Sequence, residues 1–342
     1  MMFRRLAAVA LLATTACTGS GSAHHTTRHP PSTTADNPQP VTQPVSPPHP
    51  VAIVTTELLN QIAVLRLPSL RIARRIDVAA DPKTVAAEPA RGGPMAVVSP
   101  GSGTVTLFGQ RLQRVAVFRR FTSPQLAAFT PDGEYMLVTD AGAGTLSVIE
   151  LANRRVVGSV AVGEGAHHLA ISPDGRRAWV ALGETATTIV VVGLDDARHP
   201  RVLRVIHPAG AAHDLSFSPD GRTVWVSSAG AGYVSVLRAS DGKEVARIPA
   251  GRAPQHVLFA GDRAYLTSGY GASIEMVDPH TRRVIRRVST PYGSFNLAAA
   301  GGRLVVTSVL NGEVTELAAA TLRRLHVTRV ATVARSVAVL ER

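Results

Sequence analysis

From residue 51 onward, short apolar runs alternate with polar, glycine-rich breaks, and one pattern returns seven times. It reads I-V-T-T at Ile53, V-V-S-P at Val97, L-V-T-D at Leu137 and W-V-A-L at Trp179. W-V-S-S at Trp225, Y-L-T-S at Tyr265 and V-V-T-S at Val305 complete the set, at steps of 44, 40, 42, 46, 40 and 40 residues. Each copy opens on β-branched, aliphatic or aromatic residues and ends on small polar ones, which reads as a strand running into a turn. A second alternating strand follows, as in "AGAGTLSVIEL" at 141–151 and "AGAGYVSVLRA" at 229–239. A third, such as "RRVVGSVAV" at 154–162, and a fourth, such as "HHLAIS" at 167–172, complete the unit. Four short antiparallel strands recurring at this period predict the blades of a β-propeller.

The tetrapeptide S-P-D-G at 172–175 and 218–221, with T-P-D-G at 130–133, falls between the fourth strand and the next copy. Proline presets the second turn position, aspartate bonds nearby amides and glycine takes the closing dihedral. Asp132, Asp174 and Asp220 are therefore expected to be scaffolding. Residues 51–78 supply three strands but no innermost one, while "RSVAVLER" at 335–342 aligns with "HHLAIS" and is followed by nothing. The C-terminal strand should complete the first blade. The prediction is an all-β, seven-bladed propeller of four-stranded blades over residues 51–342, closed by that pairing.

These repeats resemble the YVTN-type β-propeller family, on the strength of "LVTD", "YLTS", the SPDG turn and "GSVAVGEGAHHLAISPDGRRAWVAL" at 158–182. The resemblance covers 51–342 and implies a propeller that is typically extracytoplasmic, in a family that includes cell-envelope proteins. It names no reaction, and neither does a fold.

The N-terminus adds an address. A basic start, "MMFRR", precedes the apolar run "LAAVALLATTA" and then Cys17, the sole cysteine. Eleven residues are too short to span a bilayer, so 1–16 reads as a cleaved export signal. A cysteine at this point resembles the bacterial lipobox and implies acylation of Cys17; the other reading is an ordinary cut after Ala16 or Ala23. Residues 17–50, rich in Pro, Ser and Thr, cannot offset the entropy of ordering and read as a tether. His24, His25, His29 and His49 lie in it. The expected location is extracytoplasmic, lipid-anchored to the cell membrane.

The formal charge of +12 is almost all arginine. Pairs at Arg74–Arg75, Arg119–Arg120, Arg154–Arg155, Arg282–Arg283, Arg286–Arg287 and Arg323–Arg324 fall in or beside each unit's third, outermost strand. Charge there blocks edge-to-edge pairing, or it forms a basic rim for anionic lipid or wall polymer. Aromatics interleaved with the arginines are scarce, so no nucleic acid is expected as partner. The chain is expected to be a monomer.

No zinc-protease, nucleophile-elbow or paired-cysteine spacing occurs. What remains is a polar constellation just before the innermost strands, at one mouth of the central channel. Aligned on the repeat, His167, His213, Gln255, Phe295 and Arg335 share one slot. His168, Asp214, His256, Asn296 and Ser336 share the next. Strand alternation would point the two slots at different neighbours, so that either His168 meets His213, or His167 meets Asp214 and His213 meets His256. Imidazoles with one carboxylate suit a divalent metal at His168, His213, Asp214 and His256, with Arg335 available for an anionic ligand. The other reading is a set of polar residues that pin blades together. Trp179, Trp225 and Tyr265 share one strand position and are expected in the inter-blade core. The function expected is a ligand-binding or protein-interaction module of the envelope, with no cofactor beyond a possible metal. The alternative is a lactonase-like or lyase-like enzyme at the channel mouth.

Overall fold

A computed structural model describes residues 50–88, 92–228 and 230–341. The export segment, Cys17 and the tether to residue 49 lie outside the described residues. Among those described, 28 strands form seven four-stranded antiparallel sheets. Among the described residues no helix is long and apolar enough to cross a membrane.

Blade 1 consists of Val51–Thr56, Gln61–Arg66 and Arg71–Asp77, with Val337–Leu340 as its innermost strand. Blade 2 begins with Thr84–Ala87, blade 3 with Pro124–Phe129 and blade 4 with Ala166–Ile171. Blades 5, 6 and 7 begin with Leu215–Phe217, Pro254–Ala260 and Ser294–Ala300. Neighbouring innermost strands touch all the way round, including Val337–Leu340 against Thr84–Ala87. The ring is closed as the repeat predicts. In the closing pair Val51 stands opposite Leu340 and Val54 opposite Val337.

Period-two alternation explains the core. Val51 and Ile53 pack toward blade 2 with Val85 and Met95. Ala52 and Val54 pack toward blade 7 with Val305 and Val314. Each side of a blade thus feeds a different interface, and the buried apolar residues fall into seven clusters, one per junction. Trp179, Trp225 and Tyr265 are core residues, the first edge-on to Phe217 and the second to Phe259.

The SPDG turn is built as its residues require. Ser172 Oγ donates to Asp174 Oδ1 at 2.5 Å, and Asp174 Oδ1 accepts from Arg176 N at 3.0 Å. Gly175 sits at φ 71°, where a side chain would be strained. The Ser218 turn repeats these contacts. At the rim, the register shifts between third and outermost strand in all seven blades. Bulges and exposed arginines together protect seven free edges from pairing.

Candidate functional site at the channel mouth

The repeat's own polar residues build the mouth. In five blades the third motif residue carries a hydroxyl that reaches the next blade. Thr139 Oγ1 donates to the His167 carbonyl at 2.7 Å, Thr267 to Phe295 at 2.6 Å and Thr307 to Arg335 at 2.7 Å. Ser227 does the same to Gln255 at 2.5 Å and Thr55 to Lys83 at 3.2 Å. These bonds fix the backbone of the first slot. In blade 2 Ser99 turns back to the Ala79 carbonyl at 3.2 Å, and Thr84 Oγ1 donates to the Gln125 carbonyl of blade 3 at 2.9 Å instead. Blade 4 has Ala181, and there Ala186 and Ala212 exchange two 2.7 Å backbone bonds across the junction to blade 5.

The two slots do not point to opposite neighbours. In blades 3, 4, 6 and 7 the pairing of the innermost strand is irregular at these two residues, as between Ala166 and Leu169 or Pro254 and Val257. In blade 5 His213 and Asp214 precede the strand altogether. Local irregularity re-aims side chains, and here it lets both slots contribute to one cluster. The His168 and His213 rings lie 4.4 Å apart between centroids, His168 and His256 5.7 Å, and His213 and His256 5.8 Å. His168 does meet His213, and His213 also meets His256.

Asp214 is the hub. Its Oδ2 accepts from His256 Nδ1 at 3.2 Å and from the Val257 amide at 3.1 Å. Oδ1 lies 3.5 Å from His168 Nδ1, a charge contact longer than a full hydrogen bond. His213 Nδ1 lies 2.8 Å from the Glu184 carbonyl. A carbonyl and a carboxylate only accept, so Nδ1 carries the hydrogen on His213 and His256, and the same carboxylate favours it on His168. The lone pair then sits on Nε2. All three Nε2 atoms are buried and without a partner among the described residues.

Burial is the main cause that lowers His168 to about 4 and His213 to about 4, with neighbouring rings adding to it. Burial and the charge of His168 lower His167 to about 3. Burial alone would raise the Asp214 carboxyl, but the His256 and His168 rings together hold it below the usual range. At neutral pH His167, His168 and His213 are uncharged and Asp214 is ionised.

These groups line a cavity of about 170 Å³ with Phe295, Asn296, Arg335 and Ser336. Arg335 faces Glu57 at 3.4 Å and Glu184 at 4.0 Å, and stacks 5.4 Å over Phe295. Glu57 and Glu184 come from the loops after the second strands of blades 1 and 4. Alignment on the innermost strands does not reach them. Their signal is a glutamate where the other copies of that loop carry no charged residue. Gln255, by contrast, does not line the cavity; its amide donates to the Ala253 carbonyl at 3.3 Å. Asn296 and Ser336 accept backbone amides of the next blade, from Val337 at 3.0 Å and Val85 at 3.3 Å, so they also pin blades together. Among the described residues no group of three or more His, Cys, Asp or Glu is set to hold a metal ion.

No family model matches the chain, and no curated protein matches it in sequence. Solved structures do share its fold. One is a functionally unknown protein from Desulfotomaculum acetoxidans, at TM-score 0.73 and 14% identity, covering 84% of this chain and 98% of that one. Another is apo AztD from Citrobacter koseri, at TM-score 0.66 and 10% identity, covering 85% and 97%. A third is Kuenenia stuttgartiensis hydrazine synthase, at TM-score 0.59 and 19% identity, covering 69% and 76%. Identities this low carry the propeller fold and nothing about activity.

Proposed function

We propose that the chain is an exported, membrane-tethered propeller of the YVTN type that binds a small ligand at the channel mouth and catalyses nothing. One observation carries the binding site: three buried imidazole Nε2 atoms, gathered around an ionised Asp214, have no protein partner among the described residues. Leaving a buried polar atom unpaired costs about 1–3 kcal/mol. A ring of hydrophobic blades gains nothing from three such atoms, so they are kept for an occupant. His168 and His213 are uncharged at neutral pH and offer lone pairs, so an occupant that accepts electron pairs suits them.

A divalent transition-metal ion is the ligand of that class that fits best. Neutral imidazole is a preferred ligand of such ions, and a carboxylate or carbonyl on Nδ1 is the usual outer partner of a ligating histidine. His168, His213 and His256 would ligate through Nε2, and Asp214 would orient them. Because no three donors are yet set for a metal, binding has to draw the rings together.

Calorimetry with zinc, copper and nickel tests this. A one-to-one site is expected that survives replacement of His24, His25, His29 and His49 by glutamine. It should be lost in His213→Ala/His256→Ala. Binding that follows the tether histidines instead refutes the metal. An organic ligand found by native mass spectrometry would keep the mouth as a binding site and replace the ion. The enzymatic alternative would use the 3.2 Å His256–Asp214 couple as a general base; the hydroxyls of Thr84 and Ser336 that line the same cavity are bonded to the Gln125 carbonyl and the Val85 amide. For the address, Cys17→Ala should leave the membrane fraction in high salt; a variant as firmly bound as the parent excludes acylation as the anchor.

A further inference from the structure

The surplus positive charge is not spread around the ring. Residues 124–249, blades 3 to 5, carry 11 Lys and Arg against 13 Asp and Glu. Residues 50–123 carry 10 against 4, and residues 250–342 carry 12 against 6. Closure of blade 7 onto blade 1 makes those two segments neighbours. Blades 6, 7, 1 and 2 are therefore one continuous basic arc.

Pairing does not separate the halves, but position does. In blades 3 to 5, Arg198 pairs with Glu150, Arg201 with Asp195, Arg238 with Asp241 and Arg247 with Glu244. Arg154, Arg155, Arg176, Arg177, Arg204 and Arg222 of the same blades are exposed without an ion pair among the described residues, and Arg263, Arg287, Arg303 and Arg335 on the arc are paired. On the mouth face of the arc, Arg119 and Arg120 follow the outermost strand of blade 2, Arg252 lies ahead of blade 6 and Arg329 ends the outermost strand of blade 7. These four are exposed and form no ion pair among the described residues, whereas the mouth-side connections 141–144, 162–165, 183–188 and 207–214 of blades 3 to 5 carry no Lys or Arg.

A second, independent feature falls on the same side. Five large apolar side chains stand exposed on connecting loops: Leu58, Leu59, Tyr270, Tyr292 and Leu310. All belong to blades 6, 7 and 1, and Tyr270 and Tyr292 lie 6.1 Å apart between ring centroids. Four are on connections from second to third strand and Tyr292 is on a connection between blades. Antiparallel order puts both kinds of connection on the face that carries the channel mouth. Among the described residues, blades 2 to 5 place none there.

We propose that the arc of blades 6, 7, 1 and 2 docks on an anionic phospholipid bilayer, with these loop tips inserted at the headgroup level. Unpaired arginines supply attraction that falls off within a Debye length. Tyrosine and leucine at loop tips supply what a soluble polyanion could not use, since tyrosine favours the membrane–water interface. A docking face on the mouth side would turn the channel mouth toward the membrane. This inference does not depend on which ligand the mouth takes.

The test uses the chain from residue 18, which keeps every blade and drops the apolar run and Cys17. It should co-sediment with vesicles of equal phosphatidylglycerol and phosphatidylcholine at ~50 mM salt, not with phosphatidylcholine alone, and release at ~500 mM. Arg252→Glu/Arg329→Glu should weaken binding at least about tenfold. Tyr270→Ser/Tyr292→Ser should weaken it similarly. Arg201→Glu/Arg204→Glu, on blade 4, should stay within about twofold of the parent if the arc is specific. These side chains are exposed, so thermal melting should be unchanged. Absence of vesicle binding overturns the proposal, as does equal loss from the blade 4 pair. Binding to a soluble polyphosphate with none to vesicles would overturn it in favour of a polymer.

Discussion

At the scale of single residues, the mouth is a place where burial and charge are in tension. His167, His168 and His213 are kept uncharged by burial, with Asp214, His256, Glu184, Arg335 and Lys83 as the charged or titratable groups around them. Unfolded, each would take a proton near pH 6.5. Folded, they resist until about 3 for His167 and about 4 for the other two. Between these limits the unfolded chain binds more protons, so stability falls as pH falls from 6.5. Each group contributes a slope of about 1.4 kcal/mol per pH unit. Guanidinium midpoints at pH 7, 6 and 5 should drop progressively, and His168→Gln/His213→Gln should drop less steeply. A midpoint flat over that range would show that the rings already carry protons in the folded ring. Alignment of the repeat brought His168, His213, Asp214 and His256 to one mouth because each sits at a fixed offset from its strand. It could not place Gln255 outside the cavity or Glu184 inside it. Those outcomes depend on irregular pairing and loop geometry, which period-two reasoning does not contain.

At the scale of strands and turns, the sequence is nearly transparent. The strand ends, the SPDG corners and the core faces follow from alternation and turn chemistry, and the three turn aspartates bond within their own corners. Less visible is why the repeated motif ends in threonine or serine. In five blades its hydroxyl clips one blade to the backbone of the next, and the alanine at 181 marks the junction where a backbone bridge replaces it. Thr139→Val keeps the shape but leaves the His167 carbonyl without its 2.7 Å donor. The expected cost is about 1–3 kcal/mol, read from denaturant unfolding with an unchanged m-value. Because the clip fixes the backbone of His167, ligand affinity at the mouth should fall as well. A cost within about 0.5 kcal/mol, typical of an unremarkable surface change, would reduce the clip to a decoration of the strand.

At the scale of the whole molecule, closure converts a linear repeat into a ring with two unlike halves. The charge counts are readable in the sequence, yet they describe two separate segments until blade 7 meets blade 1. The last strand makes that junction. Val337, Ala338 and Leu340 are buried, Thr55 N bonds the Ser336 carbonyl at 3.0 Å, and Ser336 Oγ accepts from Val85 at 3.3 Å in blade 2. A chain ending at residue 334 would lose the innermost strand of blade 1 and expose the edge of Val51–Thr56, all six residues of which are buried in the ring. Burial of each large aliphatic contributes about 1.5–3 kcal/mol, so the loss of two of them with the strand bonds approaches the stability of an ordinary domain. An exposed apolar edge strand also invites pairing between copies. The shortened chain should therefore unfold or associate, seen as a lower melting temperature and a rise in mass by light scattering. A peptide of residues 335–342 added in trans should reverse both by pairing with the open edge. If the shortened chain melts like the parent and stays monomeric, the strand would be an ornament, and the ring would be held by the other six junctions alone.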